Sequence, residues 1–155
     1  MSNQQSLKST FKPAARRKAR HYGMQALYQW QMTKNALADI ESQFLNDYDF
    51  SNVDGEYFQE LVFNIPACVS ELDAVFSGFL QERNIEELDP IELALLRIGC
   101  YELVKRIDIP YKVSINEAVS LAKKFGAAES HKYINAVLDR VSQQVREVEV
   151  NATKR

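Results

Sequence analysis

Arginine, lysine and tyrosine gather in one stretch, PAARRKARHYGMQALYQW from Pro13 to Trp30, at a spacing that suits a polyanion. On a 3.6-residue wheel Ala15, Ala19, Tyr22, Ala26 and Trp30 recur at steps of four and three, a stripe that folding should bury. Arg16 and Arg20 flank the stripe, while Arg17, His21, Met24 and Tyr28 form a second row along an accessible edge. Guanidinium forks grip phosphates, and a phenol ring stacks on an unpaired base. The chemistry predicted is binding of single-stranded nucleic acid by Arg16, Arg17, Arg20 and Tyr28. A basic face that is merely solvated is the alternative.

Catalytic constellations are not evident. His21 and His131 are the two histidines, and neither belongs to an H-E-x-x-H or a Cys/His ligand spacing. The five glycines are scattered, so no phosphate-cradling loop is formed. The expectation is a protein without catalysis, metal or cofactor. Cys68 and Cys100 lie in apolar helical patterns and read as reduced core residues of a cytoplasmic protein. No apolar run is long enough to span a bilayer, so no membrane contact is expected.

A length of 155 residues fits one domain that buries about 70% of the surface of its unfolded chain. The net charge of −2 hides a strong segregation. Residues 1–38 carry seven basic and no acidic side chains, whereas residues 39–102 carry fifteen acidic and two basic. Between 105 and 132 six basic residues face three acidic ones. Two surfaces with different partners are the implication.

The elements that must position these residues read as helices throughout. Residues 1–12 are polar and predict a mobile arm. A first helix spans about Pro13 to Lys34, with Pro13 in its first turn. Asn35 is placed to cap a second, with the stripe Leu37, Ile40, Phe44 and Tyr48. Asp54 should cap a long third helix in which Phe58, Leu61, Ile65, Val69, Leu72, Phe76 and Phe79 keep phase, kinked at Pro66. Asp89 and Pro90 read as cap and first residue of a helix apolar on most of its circumference, which predicts a central post with Glu92, Arg97 and Glu102 on its wetter edge. Ser114 and Glu117 have capping-box spacing, Gly126 reads as a left-handed C-cap, and Ser130 as the cap of a last helix over Ile134, Val137, Leu138, Val141 and Val145. The predicted fold is all-α: two small helical bundles of six to seven helices in total, one subdomain over about 13–81, the other over about 89–150, and a tail over 151–155.

Three segments together resemble a known family. ARRKARHYGMQALYQWQ, ALLRIGCYEL and above all PYKVSINEAVSLAKKFGAAESHKYINAVLDRV are similar to the NusB family of bacterial transcription antitermination factors, over about Lys12 to Val145. The resemblance implies a non-enzymatic, all-helical protein of two subdomains. It implies binding to the boxA element of nascent ribosomal RNA together with ribosomal protein NusE, other Nus factors and RNA polymerase being engaged indirectly. The family's RNA-binding positions match Lys12, Arg16, Arg17, Arg20 and Tyr28, and, in the last two helices, Phe125, Lys132 and Tyr133. Its partner-binding surface matches Glu92, Arg97, Tyr101 and Glu129. Ala136 stands where many members have glycine and Glu129 where aspartate is common. A homodimer, a helical accessory module for ribosomal RNA modification and a pure protein adaptor stay open as alternatives.

Overall fold

A computed structural model describes residues 12–153; the expected arm, apart from Lys12, lies outside them. Among the described residues there are eight α-helices, one short 3-10 turn and no strand. The chain separates into two compact units that meet in sequence at Ala67 and Cys68, whereas the sequence placed the joint between 81 and 89. The reason is Pro66. Its missing N–H and its ring cost an uninterrupted helix about 3 kcal/mol, and the chain ends one helix at Ala67, turns at Cys68 with φ −120°, and restarts at Val69. A break replaces the expected kink, although the apolar phase survives it at Leu72 and Phe76.

The first unit holds α1 (Pro13–Thr33), α2 (Leu37–Asp47) and α3 (Gly55–Ala67). Pro13 opens α1 and Lys34 closes it in the left-handed region, its ammonium 4.5 Å over the Trp30 ring. Asn35 does not cap α2: its N–H donates to Thr33 Oγ1, and Ala36 takes the cap position. Asp54 does cap α3, Oδ1 accepting from Tyr57 N at 3.1 Å. The core joins Ala19, Met24 and Leu27 of α1 to Ile40 and Phe44 of α2 and to Phe58, Leu61 and Ile65 of α3. The buried face of α1 is thus rotated from the expected stripe: Tyr22 and Trp30 are half-exposed, while Arg20, Gly23 and Met24 are buried. Gly23 sets that rotation, since a Cβ there would stand 2.9 Å from Leu61 Cδ1.

The second unit holds α4 (Val69–Ser77), the 3-10 turn Ile85–Glu87, α5 (Pro90–Lys105), α6 (Tyr111–Phe125), α7 (Ser130–Val145) and α8 (Glu147–Thr153). Asp89 caps α5 as expected, accepting from Ile91 N at 2.9 Å. α5 is the central post, packed by α4, α6 and α7. The expected wet edge is buried: Glu92, Arg97 and Glu102 are 5%, 8% and 0% exposed, and the exposed residue of α5 is Lys105 at its end. Covered on every side, these residues take internal partners. Arg97 forks onto Asp73 at 3.0 and 2.8 Å, and Glu92 accepts from Arg83 and Ser130.

The helix ends in this unit differ from expectation. α6 begins at Tyr111 after Pro110, so Ser114 lies a turn inside it, buried with an unpartnered hydroxyl, and forms no capping box. The capping box in this unit is Asn84 with Glu87. Gly126 is extended, φ −87° and ψ 168°, and its glycine is needed for space, since a Cβ would lie 2.8 Å from the Ala122 carbonyl oxygen. Ser130 is the first residue of α7 and spends its hydroxyl on Glu92. The expected tail is helical as far as Thr153. Arg146, 6% exposed, holds that end: its guanidinium donates to the carbonyls of Glu102, Leu103, Arg106 and Ile109 and to Glu149.

At Gly99 α5 packs tightly on α7, where a Cβ would meet Leu138 Cδ1 at 2.5 Å. Alanine gains about 1 kcal/mol of helix propensity, but overpacking this contact costs about 1–3 kcal/mol. Gly99→Ala is expected to lower stability in urea titrations. In a Leu138→Ala background the same substitution should become stabilising; loss of stability in both backgrounds would refute the contact as the cause.

Candidate nucleic-acid interface

In the first unit α1 divides its basic residues between two tasks. Arg16 lies with its Cζ 4.5 Å over the Tyr57 ring and its Nε 3.8 Å from Asp54 Oδ2, its side chain 12% exposed. Arg20 is 4% exposed with its Cζ 5.7 Å from the same ring centroid. Asp54 in turn donates its N–H to the Ala15 carbonyl. Arg16 and Arg20 therefore fasten α1 to the start of α3. The expectation that Arg20 stays available to a polyanion is corrected: the rotation of α1 that admits Gly23 turns Arg20 inward. Arg16 is largely withdrawn for the same reason.

Lys12, Arg17 and Tyr28 are exposed. Lys18, which the sequence reading passed over although it completes the RRK run, is exposed too. Lys12 and Lys18 line a cleft with Pro13, Ser51, Asn52 and Asp54. Tyr28, 38% exposed, stands on the same helix about three turns from Arg17. This arrangement supplies cations for phosphates and a ring for a base, on a helix whose inner arginines fix its orientation.

In the second unit Phe125 is 42% exposed at the end of α6, and Lys132 is exposed on α7, paired at 2.9 Å with the exposed Glu129. Tyr133 is half-buried. Its hydroxyl donates to the Leu80 carbonyl at 3.0 Å, and the Arg83 guanidinium covers one ring face at 4.5 Å. Burial pushes the Tyr133 phenol above its ordinary value, the Arg83 charge opposing. Of the four residues matched to the partner surface, Glu92, Arg97 and Tyr101 are buried and only Glu129 is exposed. The first three lie within the bundle around α5, and not on its wetter edge as the sequence suggested for Glu92 and Arg97. Sequence reasoning missed Arg83, whose signal was only its isolation as a cation among Glu82, Glu86 and Glu87.

Both cysteines are free thiols, Cys68 half-buried and Cys100 fully buried. Burial pushes Cys100 up to about 12, with the nearby Asp73 charge adding to it, so it stays protonated at neutral pH. Among the described residues no three His, Cys, Asp or Glu side chains are placed to hold a metal ion, and no helix is long and apolar enough to cross a membrane.

Comparison with known proteins bears on the family and the fold. The sequence model of the NusB family matches residues 17–143. A transcription antitermination protein NusB from Saccharophagus degradans is 57% identical, covering 91% of this chain and 94% of its own length. That from Teredinibacter turnerae is 54% identical, covering 91% and 96%. The solved structure of T. maritima NusB superposes with a TM-score of 0.73 at 26% identity, covering 87% of this chain and 96% of that one. With the matched region spanning both helical units, the chain belongs to the NusB family.

Proposed function

We propose that this chain is a transcription antitermination factor that binds single-stranded RNA and acts by assembly, without catalysing a reaction. Its ligand is the boxA element of nascent ribosomal RNA, taken up in the cytoplasm together with ribosomal protein NusE. Other Nus factors and RNA polymerase are engaged through that complex. The observation that carries this reading is the exposure of Lys12 just before α1 and of Arg17, Lys18 and Tyr28 on it, while Arg16 and Arg20 lock the same helix to Tyr57. A helix already fixed in orientation need not be ordered on meeting phosphates, so less of the binding energy is spent on positioning the backbone that carries the cations. In the second unit Phe125, Lys132 and Tyr133 contribute stacking and charge.

The protein partner meets acidic residues. Glu129 is exposed, as are Asp39, Asp47, Asp49 and Glu56 of the first unit, whereas Glu92 and Arg97 are buried. Such carboxylates suit a basic ribosomal protein and steer its approach. Titration of boxA RNA and of a scrambled strand, each with and without the ribosomal protein, tests the reading. Preference for boxA that sharpens when the partner is present is expected; equal binding of both strands in both conditions would overturn it.

A further inference from the structure

We infer that Arg83 is an RNA-contacting residue: its guanidinium plane, seated on Tyr133, is the surface on which an unpaired base stacks. The inference rests on the RNA-binding reading and names a residue that the family motifs do not include. Arg83 lies in the segment between α4 and α5, its Cζ 4.5 Å from the centroid of the Tyr133 ring. Its Nη2 donates to Glu92 Oε1 at 3.0 Å, and the other Glu92 oxygen accepts from Ser130 Oγ at 2.8 Å. Tyr133 is fixed from below by its bond to the Leu80 carbonyl. Guanidinium and ring are thus held from independent directions, yet the Arg83 side chain stays 37% exposed against 6% for Glu92.

A base approaching over this ring face meets the guanidinium before the phenol. Arginine planes stack bases as aromatic rings do. The contact is stacking and not phosphate binding, because Glu92 already compensates the charge and the exposed Glu82, Glu86 and Glu87 surround it in sequence. Removing the guanidinium leaves the buried Glu92 carboxylate to Ser130 alone, so Arg83→Ala is expected to lower stability, while Arg83→Lys keeps a cation beside it. Tyr133 and Glu92 act as positioning residues for it.

The test uses the full chain and boxA RNA carrying 2-aminopurine at one position at a time. Binding of the parent should quench one position that Arg83→Ala and Arg83→Lys both leave bright. Affinity should fall about tenfold with the salt slope unchanged, since lysine keeps the charge but not the plane. Thermal melting of each variant shows whether the fold is intact. Parent-like quenching in Arg83→Lys would overturn the inference, as would a salt slope that flattens by about 0.7 or a melting shift with the quench preserved. If the parent binds no RNA, the RNA-binding reading itself fails; if the parent binds and the Arg83 variants match it, only the stacking assignment fails.

Discussion

Replacing Arg146 by methionine is expected to lower the unfolding free energy by about 3–5 kcal/mol. Methionine fills much of the volume of the arginine stem but carries no donor. The carbonyls of Glu102, Leu103, Arg106 and Ile109 would each lose a hydrogen bond from one guanidinium. Glu102 and Arg106 would each keep a backbone donor, the N–H groups of Arg106 and Ile109, whereas Leu103 in the last turn of α5 and Ile109 in the loop to α6 would be left without one. A buried acceptor left unmatched costs about 1–3 kcal/mol, and the sum is reduced where water reaches the loop. Glu149 would also lose its partner. Burial alone would raise the Glu149 carboxyl, but the Tyr111 N–H and the Arg146 guanidinium outweigh it and hold the group below its ordinary 4.5. A depressed carboxyl stabilises the fold above its unfolded value and loses that contribution as pH falls through the folded one, so the variant should also show a flatter acid limb below about pH 4.5. Arg146→Lys should recover only part of the loss, having no planar fork. Urea unfolding followed by circular dichroism measures both; a loss under about 1 kcal/mol for methionine would show that the guanidinium is dispensable.

What could be read in the chain followed local chemistry. Asp54 and Asp89 stand just before their helices and cap them, and the nearly continuous apolarity of Ile91 to Val104 marked α5 as central. What could not be read depended on neighbours distant in sequence. Arg97 is 24 residues from Asp73 and Glu92 is 38 from Ser130, so nothing local distinguishes these buried charges from solvated ones. Ser114 and Glu117 match a capping box by spacing alone, but Pro110 starts the helix a turn earlier. On α1, alanines occupy several sides of the wheel and leave its orientation ambiguous. Gly23 was the available cue, because a glycine inside a helix marks a close approach, and Arg16 and Arg20 lie on its side.

That division of labour on α1 yields the second large effect. Arg17→Ala with Lys18→Ala removes two exposed cations, which in single-stranded RNA carry about 0.7 log units of salt slope each. Affinity at about 0.1 M salt should drop about 25-fold while the melting temperature stays within about 2 °C of the parent. Arg16→Ala with Arg20→Ala should do the reverse in character. It strips two guanidinium groups from Tyr57 and leaves Asp54, 4% exposed, without its ion pair. Stability should fall by about 3 kcal/mol, and any loss of RNA binding should follow the unfolded fraction. A lone Tyr28→Ala should weaken binding about tenfold without altering the salt slope, since a ring carries no counterions to release.

The central claim is that the outward residues of α1 hold RNA phosphates and the inward ones hold the helix. It is tested most directly by titrating boxA RNA with the parent and with the Arg17→Ala, Lys18→Ala chain between about 50 and 200 mM salt. The slope of log affinity against log salt should be shallower for the variant by about 1.4, with melting unchanged. Superimposable slopes for the two folded chains would contradict the claim.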